Sequence, residues 1–420
     1  MKKILALFCS ALLLLSAAGC QKKSFLPTNT SPEYVYATDV QTYFANDGGK
    51  YQLTASEDGY YYINLNGFLH FIDKETLQDI PLCNKPDCII HENEDAYYSN
   101  GAEKEPCNAY VESVLDPPIF YYEGALYLLT MKSEIQGNTV DRRYFLTRIS
   151  LDGTERRDLW EVTWEEEIKF PNLSSYLFHR GMLYFVVQEQ ESDSQLRPSF
   201  LYAYSMATGD CKLLHQGKFI NTLTAYGDQL FFQEYSEKAL EEASEYMATP
   251  FYSYTISTGE VKDYPGVNMF VYSSQGLLLL YPENEQGGII KQADYHAENE
   301  KVLGEVYNRR ILGGNSKWIC TTGGLRFERV SDGKELTWEE CLTMDSKEYR
   351  ILHPQTFDIL EISSLEPIAS IPAPFFRTHN TVVHLNEEQI FAFDARESIL
   401  YVADLADVGS ETFEWKSSAP

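Results

Sequence analysis

The stretch 181–209 opens Gly181-Met182-Leu183-Tyr184-Phe185, crosses a polar segment, and resumes as Leu201-Tyr202-Ala203-Tyr204 before the turn Thr208-Gly209. Each half is a short run of large apolar and aromatic residues, the pattern of a strand rather than of a helix. A small residue opens the first run and Thr-Gly closes the second. Thr or Asp before Gly supplies the positive φ that a tight hairpin turn requires.

The same unit returns on both sides of this stretch. Its opening strand recurs at Gly59-Tyr60-Tyr61-Tyr62-Ile63, Gly124-Ala125-Leu126-Tyr127-Leu128, Gly227-Asp228-Gln229-Leu230-Phe231-Phe232 and Gly276-Leu277-Leu278-Leu279-Leu280, in steps of 65, 57, 46 and 49 residues. Its closing half recurs from Leu146 to Gly153, from Phe251-Tyr252-Ser253-Tyr254 to Thr258-Gly259, and earlier at Phe68-Leu69-His70-Phe71-Ile72-Asp73. Two paired hairpins every 40 to 60 residues or so make a four-stranded sheet, which buries both faces only when stacked radially on copies of itself. The sequence therefore predicts an all-β chain folded as a single β-propeller. Later units follow at Asn315-Ser316-Lys317-Trp318-Ile319-Cys320, with a companion near Tyr349 to Ile362, and at Gln389–Asp394 with Leu400–Asp404. Opening strands near 59, 124, 181, 227, 276, 316 and 390 count seven blades, and the long last step leaves six or eight open. A stack of separate sandwich domains shares the short-strand signal. To close a ring, Tyr34 to Tyr43 is the expected strand, pairing with the final segment before Trp415.

The N-terminus carries export information. Met1, Lys2 and Lys3 precede an apolar run from Ile4 to Leu15 and the small residues Ser16-Ala17-Ala18-Gly19 before Cys20, the three-part layout of a signal peptide. The apolar run is well short of the roughly 20 residues that a spanning helix needs. Ala17-Ala18-Gly19-Cys20 resembles the bacterial lipobox, with Ala17 where Leu is usual, and the resemblance implies diacylglycerol on the Cys20 thiol. The competing interpretation is an ordinary secretory signal with Cys20 a bystander. Two acyl chains, at about 0.8 kcal/mol per buried methylene, anchor stably where one does not. The expected organisation is signal peptide 1–19, lipidated Cys20 with a polar flexible tether to 33, and propeller 34–420. It sets the domain on the cell membrane, on the extracytoplasmic side.

Composition limits the partners. The formal net charge is -28, and loss of Lys2 and Lys3 makes the remainder more negative still. Such a surface repels phosphates within a Debye length, which excludes nucleic acid as a partner. The aromatic share of 14% lies mostly inside the strand runs, so core packing accounts for it first.

One local motif is sharp. Pro81-Leu82-Cys83-Asn84-Lys85-Pro86-Asp87-Cys88-Ile89-Ile90-His91 is followed by Cys107-Asn108-Ala109-Tyr110, giving C-x4-C-x2-H-x15-C within an insertion at 81–110. Cys83, Cys88, His91 and Cys107 form a four-ligand set that can close tetrahedrally on one structural zinc. Alternatively Cys83, Cys88 and Cys107 are disulfide partners, as an exported chain permits. Three cysteines cannot all pair among themselves, so one would then reach Cys211, Cys320 or Cys341 or stay free.

With these residues in view, the chain resembles lipid-anchored bacterial envelope β-propeller proteins of uncharacterised function, frequent in clostridia and their gut relatives. The likeness rests on the Gly-led opening strands, the Thr-Gly closing hairpins, and the Pro81–His91 motif with Cys107-Asn108-Ala109-Tyr110, and it covers nearly the whole mature chain. Low-density-lipoprotein-receptor-type propellers and periplasmic translocation-type propellers are related in fold. The resemblance implies a propeller displayed at the envelope and names no activity.

Catalytic signatures are missing from the sequence: there is no Gly-x-Ser-x-Gly elbow, His-Glu-x-x-His pair, phosphate loop or dinucleotide fingerprint. Carboxylate neighbours such as Glu165 with Glu167 and Glu339 with Glu340 read as solvated faces. The Glu-rich stretch Glu234 to Glu245 reads as an inserted short exposed helix, and His179, His215, His296, His353, His379 and His384 are scattered. The expected function is a ligand- or protein-binding or scaffolding module, its partner an unknown protein, peptide or glycan. The alternative is an extracellular carbohydrate-active enzyme with carboxylates from several blades meeting in the channel.

Overall fold

The Gly-led aromatic runs become the second strands of seven four-stranded antiparallel sheets, each built from consecutive segments except in blade six, where a small sheet intervenes. In the computed structural model, the described residues are 24–35, 38–39 and the ring from 53 to 418, less segments inside its connections, of which 89–106 and 237–249 are the longest.

Blade one contains β1 (Leu53–Ala55), β2 (Gly59–Ile63), β3 (Leu69–Asp73) and β4 (Asp79–Pro81); blade two contains β5 (Phe120–Tyr122), β6 (Ala125–Gln136), β7 (Thr139–Ser150) and β8 (Arg156–Glu161). Blade three holds β9 (Pro171–His179), β10 (Met182–Glu189), β11 (Pro198–Ser205) and β12 (Cys211–Lys218), and blade four holds β13 (Asn221–Tyr226), β14 (Gln229–Gln233), β15 (Phe251–Thr255) and β16 (Val261–Tyr264). Blade five follows with β17 (Met269–Ser273), β18 (Gly276–Asn284), β19 (Gly287–Ala293) and β20 (Lys301–Tyr307). Blade six begins with β21 (Ile311–Gly314) and β22 (Trp318–Thr322). A three-stranded sheet then intervenes, made of β23 (Arg326–Arg329), β24 (Glu335–Leu336) and β25 (Tyr349–Leu352), before β26 (Thr356–Glu361) and β27 (Pro367–Pro372) complete the blade. Blade seven is β28 (Thr381–Leu385), β29 (Gln389–Asp394), β30 (Ile399–Asp404) and β31 (Lys416–Ser417).

The blade count is thus seven. The long step from 316 to 390 is an insertion inside blade six rather than a further blade. Turn chemistry sets the register: Glu123 and Gly124, and likewise Arg180 and Gly181, all have positive φ, as a two-residue hairpin of the I′ type demands. Met182 then faces Ser205 across β10 and β11, and the pairing continues to Gln188 opposite Ser199.

Burial grades outward from the axis. The first strand of each blade lines the centre, where β9 packs beside β13, β17 beside β21 and β21 beside β28. Second strands have both faces covered by neighbouring blades, so β10 is buried from Met182 to Gln188, which is why these strands read as unbroken apolar runs. Fourth strands such as β12 and β27 are largely exposed. Aromatic pairs bond one blade to the next: Tyr127 stacks on Phe178 at 4.6 Å and Trp160 on Tyr204 at 4.0 Å, both between blades two and three. Such pairs contribute about 0.5–1.5 kcal/mol beyond the area they bury.

Ring closure differs from the expected shared strand. Blade seven draws all four strands from the C-terminal part, and none of the described residues between 34 and 43 is in a strand. The ring closes by side-chain packing instead, with Tyr60 against Phe391 and Tyr62 edge-on to Phe393 at 5.3 Å. β31 supplies the fourth edge locally, so no strand from the other terminus is needed.

The segment expected to be a flexible tether is docked from Ser24 to Val35. Arg180, in the β9–β10 turn, donates through Nη1 to the carbonyls of Asn29 and Ser31 and through Nη2 to that of Glu33, at 3.1, 2.7 and 2.7 Å. Its remaining N–H groups clasp Asp39 at 2.5 and 2.7 Å, and both side chains of that pair are buried, at 1% and 0% exposure. The polar, Pro-containing composition reads as a linker because its apolar residues are few, yet its backbone carbonyls are what the arginine binds. Among the described residues no helix is long and apolar enough to cross a membrane.

Candidate functional site

β4 ends at Pro81, and the chain that leaves it brings three cysteines together at the seam between blades one and two. The Sγ atoms of Cys83, Cys88 and Cys107 all lie within 4.8 Å of one another. Local hydrogen bonds place them: the Cys83 N–H donates to Pro81 O at 2.8 Å and that of Cys88 to Lys85 O at 3.2 Å, a turn bringing the two thiols to one side. Cys107 arrives because the returning chain pairs with the β2–β3 turn, where the Leu69 N–H donates to Ala109 O and the Val111 N–H to Gly67 O, both at 2.8 Å. Phe68 packs beneath with Cys107 and Ala109, and its ring lies 5.5 Å from that of Tyr110. From β8, Arg156 Nη1 donates to Tyr110 O at 2.6 Å and Nη2 to Asn108 O at 3.0 Å, tying this loop to blade two.

The three thiols are electrically unequal. Burial opposes ionisation of Cys83, but hydrogen bonds from the backbone at Lys85 and Asn108 and from the Cys107 and Cys88 thiols outweigh it and lower its pKa. Cys107 is pushed up to about 12, first by burial and then by the neighbouring Cys83. Three thiols this close, with ionisation of one favoured by hydrogen bonds from the others, are a donor set for a soft or borderline cation. At Zn–S ≈ 2.3 Å, tetrahedral ligands stand about 3.8 Å apart, so this cluster needs little movement to bind. His91 lies outside the described residues. Cys211 lies in blade three and Cys320 in blade six, so neither completes a disulfide pair with the cluster beside blade one; Cys341 is outside the described residues.

Other candidate residues are dispersed. His179 is fully buried and shares a 2.7 Å hydrogen bond with Gly227 O, His215 meets Glu234 at 2.6 Å, and His296 lies 3.3 Å from Gln229. His384 stacks on Phe391. His353, His379, Glu165, Glu167, Glu339 and most of Glu234–Glu245 fall outside the described residues. One linked set escapes sequence reasoning: Tyr62 Oη donates to Asp79 at 2.5 Å, while His70 Nδ1 meets the other Asp79 oxygen at 3.0 Å. Its only trace in the sequence is polar residues at inward positions of otherwise aromatic strands. It staples three adjacent strands of blade one.

The two ends of the ring are built differently. Strands alternate in direction, so the turns joining first to second and third to fourth strands share one end, and all other connections share the opposite end. The three longest connections, 82–119, 234–250 and 323–355, all leave from that opposite end. It also carries the tip of the β6–β7 hairpin, whose strands are 12 residues each. The innermost strands β1, β5, β9, β13, β17, β21 and β28 contain no Asp or Glu between them.

Fold and site together define a seven-bladed β-propeller carrying a thiol cluster in its first inter-blade insertion. No protein-family model matches the chain, and no curated protein matches it. Among solved structures it is similar to an oligogalacturonate lyase from Vibrio parahaemolyticus, at 11% identity and a TM-score of 0.50, over 93% of this chain and 97% of that one. An oligogalacturonate lyase in complex with manganese aligns over 93% of this chain and 90% of its own, at 11% identity and a TM-score of 0.47. A propeller domain of a Pyrococcus furiosus protease, with open velcro topology, aligns over 73% of this chain and 95% of its own at 10% identity and a TM-score of 0.36. At 11% identity, the likeness to the first of these bears on the propeller fold alone.

Proposed function

We propose that the chain is a lipid-anchored extracytoplasmic binding module. In this reading the insertion-bearing end of the propeller holds a protein, peptide or glycan partner, and the cysteine cluster carries a structural metal, zinc by donor chemistry. The observation that carries the binding role is the concentration of the three longest connections on one end. Loops held by a rigid scaffold are where recognition residues gather. The lack of Asp and Glu on the innermost strands favours this over an enzyme using an acid pair in the channel.

The test is an array of glycans and peptides probed with purified 21–420, beside a variant in which a short turn replaces 323–355. Retained signal on a defined array member by the intact chain, lost in the variant, supports the reading. Release of new reducing ends or unsaturated products from polysaccharide, with no stable binding, supports the carbohydrate-active enzyme instead.

A further inference from the structure

The docked N-terminal segment fixes more than its own position. It begins at the rim: Phe25 and Leu26 line a cleft of about 280 Å³ between blades three and four, with Lys212 Nζ 4.1 Å above the Phe25 ring. It then runs inward across the short-turn end of the ring. Pro32 O sits so close to Gly227, in the β13–β14 turn, that a Cβ there would lie 2.1 Å from it. Tyr34 stacks on Tyr226 at 5.8 Å, and Arg180 grips the segment by three carbonyls and Asp39. Each of these contacts is with blade three or four, and the turns it crosses, β9–β10, β13–β14 and β15–β16, belong to the short-turn end.

We infer that this strap sets the orientation of the propeller on a bilayer: the short-turn end faces the lipid and the insertion-bearing end faces away. The inference rests on the reading of Cys20 as a lipid anchor. Only residues 21–23 separate that anchor from Ser24, a leash of at most about 14 Å over the four steps at roughly 3.5 Å each. Without docking, the chain from Cys20 to Leu53 would be a coil of roughly 30 Å root-mean-square span, enough to let the ring tumble. An eight-residue strand such as β10 spans about 26 Å, so the two ends of the ring stand at clearly different heights above the surface. The arrangement keeps the three long connections away from the lipid, where an extracellular partner has access.

The experiment uses the full lipidated chain in phosphatidylethanolamine and phosphatidylglycerol vesicles containing a rhodamine-headgroup lipid as energy acceptor. A donor fluorophore is introduced as an unnatural amino acid at Glu75, in the β3–β4 turn, or at Leu65, in the β2–β3 turn. Both sites are exposed and both belong to blade one, so only the end of the ring differs. Transfer from position 75 several-fold above that from position 65 is the expected result. Inserting a long Gly/Ser segment between Lys23 and Ser24, which leaves strap and ring untouched, should erase the difference. Equal transfer from both positions in vesicles that float with the protein overturns the orientation while leaving the anchor intact. Protein that fails to float, with no acyl mass on Cys20, overturns the anchor and the orientation together.

Discussion

Arg180 engages all five of its N–H donors, three on backbone carbonyls of the strap and two on Asp39, in a site closed to solvent. Removing one partner of such a pair leaves the other charge buried and uncompensated. Arg180→Ala should therefore lower unfolding free energy by about 3–5 kcal/mol, read from urea titrations. Its neighbour His179 offers a pH test. Burial holds His179 down to about 4, against the opposing pull of Asp39 and the Gly227 carbonyl and with help from Arg180. Because the folded pKa lies below the unfolded value of about 6.5, the unfolded chain binds the proton more readily. Stability from this group is complete above pH 6.5 and is lost as pH falls from there toward 4. A urea midpoint that declines across that window, and declines less in His179→Gln, is the expected outcome. The thiols give a third test at this scale. At mildly alkaline pH, Cys83 should be alkylated well before Cys107, because one pKa is lowered and the other raised to about 12. Mass mapping after brief iodoacetamide exposure would show the order, and bound metal should protect both.

Elements were unequally legible in the sequence, and the reasons are physical. Second strands such as Gly181–Phe185 stand out because both faces are buried and a positive-φ turn precedes them. First strands such as β21 (Ile311–Gly314) and β1 (Leu53–Ala55) are short, begin without a turn signal and face the axis on one side, so nothing marks them. The C-x4-C-x2-H-x15-C spacing revealed the thiol cluster, since ligand spacing is a local property. Its unequal thiols come from burial and from hydrogen bonds across the folded loop, and the Arg156 tie comes from blade two; no local pattern announces either. The strap was misread for a related reason: its binding groups are main-chain carbonyls, which every residue has. The sheet β23–β25 hid in the long sixth step because its strands resemble those of a blade. The chain enters it from β22 and leaves it into β26. Replacing 323–355 by a short turn should leave far-ultraviolet dichroism and the urea midpoint of the ring nearly unchanged, whereas a fall of several kcal/mol would mean that the insertion braces the blades.

The whole molecule is a closed circle of packed sheets, and one of its joints is where the chain ends meet. Blades seven and one touch through the Tyr60, Tyr62, Phe391 and Phe393 cluster without a strand in common. Phe393→Ala should cost about 3–5 kcal/mol by the cavity it leaves. Hydrogen exchange in that variant should rise first in β28, β29 and β2; uniform acceleration around the ring would mean that closure is cooperative. The completeness of blade seven has a further consequence. A propeller whose first and last units share a sheet cannot change its number of units without breaking that sheet. Here every unit is whole within its own stretch of sequence, so a duplication or deletion spanning one blade, from the end of one fourth strand to the end of the next, leaves every remaining sheet intact. Gene-level growth or shrinkage of the ring is therefore structurally permitted at any of its joints.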